Sequence, residues 1–173
     1  MTWDCPHELG GACQMTENIL LEMEKFFGTD EKRINHAKQV LFYVREISKT
    51  EAGDKEIIEA AAVLHDIGIL EAEIKYGSSA GKYQEIEGPP IADRILRLIG
   101  FPGDKLSEVL DIIGNHHSPG KIKTINFGIL YDADFLVNLR DEIDTRDKAK
   151  TGKIINGSFL TETGKNIARR LYL

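Results

Sequence analysis

Residues 55–68 read KEIIEAAAVLHDIG, and this stretch decides the fold. From Ile57 to Leu64 this stretch is almost wholly apolar, which predicts a buried helix. The run ends on the charged pair His65 and Asp66, and Gly68 then breaks the helical pattern. A carboxylate at the end of a buried helix needs a cation or strong hydrogen-bond donors to remain charged. The stretch therefore predicts both a central helix and a metal ligand pair.

Apolar residues at helical spacing continue on both sides of this stretch, and no strand pair or internal repeat is found. The further helices are predicted over 16–27, 30–49, 89–99, 104–117, 126–141 and 161–173. The glycine-rich stretch 71–88 and the polar stretch 145–156 are predicted as loops. The fold class is therefore all-α, a compact bundle of about six to seven helices. We assign 16–173 to a single helical domain and 1–15 to an N-terminal leader.

Composition restricts the classes of function. The chain has 173 residues and a formal charge of -6, without the basic surface that duplex nucleic acid requires. No apolar run approaches the roughly 20 residues that span a bilayer, and no signal peptide is recognisable. We expect a cytoplasmic protein. Cys5, His7 and Cys13 lack the spacing and the fourth ligand of a zinc site, so the role of this leader stays open.

Histidines are concentrated on the apolar helices. Of the five in the chain, His36, His65, His116 and His117 lie on such helices or at their ends. A single histidine there is more often a satisfied core residue, but four together with Asp66 favour a metal site. Mixed imidazole and carboxylate ligands suit a divalent ion such as Mn, Fe, Co, Ni or Zn, and Mg where carboxylate and water dominate.

These residues occur in an order that resembles the HD-domain superfamily of metal-dependent phosphohydrolases, whose signature is a His, a His-Asp doublet and a distant Asp. The resemblance spans residues 33–134. The matching segments are RINH (33–36), AAVLHDIG (61–68), EGPPIADRIL (87–96), NHH (115–117) and YDAD (131–134). The doublet alone is weak evidence, whereas five segments in the family's order are specific. The resemblance implies an HD-domain-like helical fold.

The resemblance implies a role for each matching residue. The metal ligands it implies are His36, His65, Asp66 and Asp134. Asp132 competes for the last position, but the family's ligand usually follows a small residue, as Asp134 does. Asp132 cannot share that face of the helix, and we interpret it as a solvent-facing charge.

Other residues are assigned to the substrate phosphate and to acid-base chemistry. Arg33 lies one helical turn before His36, where relatives place an arginine on a substrate phosphate, although an ion pair with Asp30 or Glu31 explains it equally well. His116 and His117 are expected on the same phosphate. Asp66 and Glu71 are the candidate catalytic carboxylates.

The sequence also departs from the better-defined subfamilies. Relatives with two metals carry a further histidine before the helix at 89–99, where this chain has Gln84, Glu85 and Glu87. A second metal site would therefore use Glu87 with His116, but one metal is the expectation. Ile69 stands where several relatives have a lysine.

The predicted function is a metal-dependent phosphohydrolase that acts on a nucleotide or another small phosphorylated substrate through metal-activated water. Two alternatives stay open, a di-iron oxygenase of the same superfamily and a non-catalytic nucleotide-sensing module. No membrane or duplex nucleic-acid partner is expected, and the sequence leaves substrate identity and oligomeric state open.

Overall fold

A computed structural model describes residues 12–173 of the chain, which form helices and connecting turns. The helices are α1 (Ala12–Phe27), α2 (Glu31–Ile47), α3 (Lys55–Leu64), α4 (Ile69–Tyr76), α5 (Gly81–Leu98), α6 (Gly103–Ile113), α7 (Ile125–Glu142), α8 (Lys148–Ser158) and α9 (Glu162–Tyr172). The all-α prediction is confirmed, since no strand occurs in this range. No helix within it is both long and apolar enough to cross a membrane.

Helix α3 is the centre of the bundle, as its sequence predicts. It packs against α1, α2, α6 and α7, and every residue from Ile57 to Leu64 is buried. Asp54 caps its first turn by accepting hydrogen bonds from the backbone N–H groups of Glu56 and Ile57. Glu59 is the one acid inside this buried run, and it accepts hydrogen bonds from the guanidinium of Arg45. Surrounded on four sides, α3 holds its carboxyl end in the interior.

Two segments that the sequence predicted as loops are largely helical. Residues 71–88 contain most of α4 and the start of α5, and residues 145–156 contain most of α8. The glycines suggested a loop, but Gly68 and Gly88 lie where α4 and α5 approach each other closely and leave no space for a side chain. Pro89 and Pro90, predicted in a first turn, lie inside α5. The described residues therefore form nine helices, whereas about six to seven were predicted.

The beginning of the chain differs in a smaller way. Residues 12–15, which we assigned to the leader, form the first turn of α1. The rest of the leader, with Cys5 and His7, lies outside the described residues, as does the side chain of Cys13.

Candidate metal centre

Four helices bring their polar residues to one point beside the carboxyl end of α3. His36 comes from the first half of α2, and His65 and Asp66 follow α3 directly. Asp134 lies in the middle of α7, and His116 follows the end of α6. Because the apolar faces of these helices pack on one another, side chains far apart in sequence meet in a largely buried cluster.

Each of the four predicted metal ligands lies within 3.6 Å of at least two of the others: His36, His65 and Asp66 form one group of mutually close ligand atoms, and Asp134 contacts both histidines of that group. His36 Nε2 is 3.2 Å from His65 Nε2 and 3.1 Å from Asp134 Oδ1. Asp66 Oδ2 is 3.6 Å from His36 Nε2 and 3.5 Å from His65 Nε2. Asp132, the competing residue, does not join them. The structure therefore brings together the set that the sequence favoured.

The tautomer of His65 follows from its hydrogen bond. Its Nδ1 is 2.9 Å from the carbonyl oxygen of Ala62, which can only accept, so Nδ1 carries a proton and Nε2 is the nitrogen that, once deprotonated, presents a lone pair to a metal. His116 is oriented in the same way by the carbonyl of Ile113, 2.7 Å from its Nδ1. Such a bond from the far ring nitrogen is typical of histidines that bind metals.

The donor set fits a cation. Two imidazole nitrogens 3.2 Å apart and two carboxylates converge on one space, and acceptors packed this closely repel one another unless a proton or a cation lies between them. His65 is fully buried, whereas the side chains of His36, Asp66 and Asp134 are 19%, 22% and 16% exposed. Three of the four side chains are therefore partly accessible to solvent.

Electrostatics within the cluster reflect the same crowding. Burial favours the neutral form of His65, but the charges of Asp66 and Asp134 outweigh it and raise the pKa of His65 to about 9. Burial also opposes charge on Asp66 and Asp134, yet the surrounding histidines hold the pKa of both carboxyls well below the usual range. Without a metal, His65 therefore retains its second proton at neutral pH.

Asp66 connects this cluster to a second group. Its Oδ1 lies 3.5 Å from His116 Nε2, and Asp66, His116 and His117 could together hold an ion. His116 is buried, and its Nε2 has no hydrogen-bond partner among the described residues. His117 is exposed, and its backbone N–H donates to Glu85. Burial of the ring face and the neighbouring His116 lower the pKa of His117.

Three other predicted site residues are held in ion pairs. Arg33 contacts Asp30 at 2.9 Å, as the alternative interpretation expected, and also Glu73 of α4 at 2.6 Å. Glu71 and Glu87 both contact Lys75, at 3.2 and 2.7 Å. Glu87 additionally accepts a hydrogen bond from Tyr76. Neither Glu71 nor Glu87 belongs to a candidate ligand group in the described part of the chain.

Asp132 is buried, so its interpretation as a solvent-facing charge was wrong. It accepts hydrogen bonds from the backbone N–H groups of Leu160 and Thr161 and from the Thr161 hydroxyl, at 2.6 to 2.8 Å. Burial outweighs these bonds and raises its pKa to about 6. Asp132 thus joins α7 to the start of α9, on the side of α7 away from the cluster.

Asn138 is a site residue that the sequence analysis missed. Its amide donates a 2.9 Å hydrogen bond to Asp134 Oδ1, the same oxygen that faces His36. Its position four residues after Asp134 on one helix is the signal that could have revealed it.

Comparisons with known proteins identify the family and the fold. The HD domain family model matches residues 33–150. A predicted HD superfamily hydrolase from an uncultured Thermotogales bacterium is 27% identical, with 90% of this chain and 84% of that chain covered and a TM-score of 0.67. An HD-superfamily hydrolase from Bacillus thuringiensis is 20% identical, with 94% and 92% covered and a TM-score of 0.65, a likeness of fold. No curated protein matches significantly. With its family match over most of the chain and its His-Asp cluster, this protein belongs to the HD domain family.

Proposed function

We propose that this protein is a metal-dependent phosphohydrolase that releases phosphate from a nucleotide or another small phosphorylated molecule. The observation that supports it best is the partly exposed cluster in which His36, His65 and Asp66 form a candidate ligand group and Asp134 contacts both histidines. Family membership and the hydrolase names of two structural relatives point to the same class. A structural metal site would be closed, whereas this one leaves one side accessible.

In the proposed mechanism, His36, His65, Asp66 and Asp134 would hold a divalent cation through Nε2 and carboxylate oxygens. When bound, the cation supplies Lewis acidity, which lowers the pKa of water and polarises phosphoryl oxygens. Asp66 Oδ2 faces His36 and His65 while Oδ1 faces His116, so this carboxylate is placed to orient a water at the site.

His116 and His117 would act on the phosphate. With both ring nitrogens protonated, His116 would donate from Nε2, beside Asp66 Oδ1, toward a phosphoryl oxygen as negative charge develops there. Arg33 is a weaker candidate, because binding a phosphate would require it to exchange Asp30 or Glu73 for the substrate. Glu71 is likewise paired with Lys75 and is proposed only as an auxiliary acid.

We propose one cation rather than two. Glu87, the substitute ligand for a second metal, is held by Lys75 and Tyr76. Any second ion would instead use Asp66, His116 and His117. Two irons per chain would favour the oxygenase alternative, and tight nucleotide binding without turnover would favour the sensing module.

The test combines elemental analysis with a phosphatase screen. Purified protein is stripped of metal, reloaded separately with Mn, Fe, Co, Ni, Zn and Mg, and assayed for phosphate release from nucleotides and sugar phosphates. Asp66→Ala should reduce the rate of phosphate release more than a hundredfold. Asp111→Ala, an exposed aspartate on α6, serves as the control and should retain it. A fully metal-loaded protein that releases no phosphate from the whole panel would contradict the proposal.

A further inference from the structure

One buried amide on α5 is only half satisfied. Gln84 is 5% exposed, and its Nε2 donates a 2.6 Å hydrogen bond to the carbonyl oxygen of Ser79. That bond fixes the orientation of the amide, because a carbonyl can only accept. Gln84 Oε1 is buried and has no hydrogen-bond partner among the described residues. A buried acceptor without a donor destabilises the folded protein, so its retention calls for a function.

The position of Gln84 on α5 places it beside the candidate metal centre. Gly81, Gln84 and Gly88 occur at spacings of three and four and so lie along one face of the helix. At one end of this face, a methyl group on Gly81 would come within 2.5 Å of the His117 ring. At the other end, a methyl group on Gly88 would lie 3.9 Å from the carbonyl oxygen of His65.

The middle of the same face contacts the turn after the His-Asp pair. A methyl group on Gly68 would lie 2.7 Å from the backbone oxygen of Gln84. Gln84 therefore stands between His117 and the turn that carries His65 and Asp66. Its side chain bends toward Ser79, near the amino end of α5 and His117.

We propose that Gln84 Oε1 is a specificity-determining acceptor that binds a hydroxyl group on the organic part of the substrate. This inference rests on the proposed function. A carbonyl oxygen attracts a donor and repels the oxygens of a second phosphate, so it selects a phosphoester whose alcohol portion carries a free hydroxyl. Rejection of an analogue that lacks the hydroxyl follows, because the buried acceptor would again be unpaired.

The experiment measures binding without turnover. The Mn²⁺-loaded full chain is titrated by calorimetry with three hydroxyalkylphosphonates (hydroxymethyl, 2-hydroxyethyl and 3-hydroxypropyl) and with the matching methyl, ethyl and propyl compounds. For the chain length that reaches Gln84, the hydroxylated member should bind about tenfold more tightly. In Gln84→Met, which keeps the size but removes the acceptor, the Kd ratio should fall to about one.

The control is Gln39→Met, at an exposed position on α2, which should keep the wild-type ratio. If Gln84→Met does not fold, Gln84→Leu provides the same comparison. The proposal is overturned if no pair differs in the wild type or if the preference persists without Gln84. An acceptor that instead orients water at the metal would weaken both members equally, leave the ratio unchanged and also overturn it. Failure of the proposed function would appear separately, as absence of phosphate release.

Discussion

Replacing Gly68 by alanine tests whether the close approach of α4 and α5 maintains the metal centre. A methyl group there would lie 2.5 Å from the backbone nitrogen of Gly88 and 2.7 Å from the backbone oxygen of Gln84. The first distance is about 0.9 Å short of ordinary van der Waals contact, which begins at 3.4 Å. Both neighbours are backbone atoms, so neither can rotate away, and the turn itself must move.

The expected cost can be worked out from two opposing effects. Overpacking against backbone should cost about 3 kcal/mol of unfolding free energy, the upper end of the usual range. The φ of Gly68 is -79°, which alanine adopts freely. Alanine also lowers the conformational entropy of the unfolded chain, which offsets roughly 0.5 to 1 kcal/mol of this cost. The net loss is about 2 kcal/mol, or about 4 to 8 °C in Tm for a chain of this length.

The assay is thermal and urea unfolding followed by circular dichroism, with metal binding measured in parallel. Gly103→Ala is the matched control, because a methyl group there meets nothing within 4 Å and the φ of Gly103 is not positive. It should leave stability within about 0.5 kcal/mol of the wild type. Metal affinity should fall only in Gly68→Ala, since the moving turn carries Asp66. Equal stabilities for the two variants would refute the packing argument.

Three further outcomes are expected. Asp132→Ala should lower the free energy of unfolding by about 3 kcal/mol in urea titrations, because the buried N–H and hydroxyl of Thr161 and the partly buried N–H of Leu160 lose their acceptor, while the exposed Asp141→Ala should change little. The pKa of His65 is raised to about 9, so below that pH a metal must displace its proton, and metal affinity should weaken as the pH falls from 9. Calorimetry in buffers of different ionisation enthalpy should detect about one proton released per ion bound near pH 7.5. Release of no proton would contradict this prediction. Asn138→Leu should weaken metal binding about tenfold by freeing Asp134, and an unchanged Kd would exclude that role.

The fold was predictable to the extent that helices have one apolar face. The all-α class followed from apolar residues at helical spacing, and the burial of α3 followed from its almost wholly apolar sequence. The prediction was wrong at 71–88 and 145–156, where glycine and polar residues have the composition of a loop but the chain is largely helical. Packing between α4 and α5 overrides that local preference, since Gly68 and Gly88 allow a backbone approach that larger residues would prevent.

The candidate site, too, was predictable from the sequence only in part. Residue types and their order indicated His36, His65, Asp66 and Asp134 as one cation-binding set. The sequence could not tell that Asp132 is buried, because its donors come from the segment before α9. Nor could it show that Glu87 is held by Lys75, or that Gln84 keeps an unpaired acceptor.

Local residue type and spacing were sufficient to predict the helices with clear apolar periodicity, the burial of α3 and the chemistry of the His-Asp pair. The packing of the helices was needed to show which oxygen faces which imidazole, which acids are held in ion pairs and which acceptor is left unpaired. Those properties depend on distances of a few ångströms between residues far apart in the chain, as between His36 and Asp134. Only the packing of helices fixes such distances.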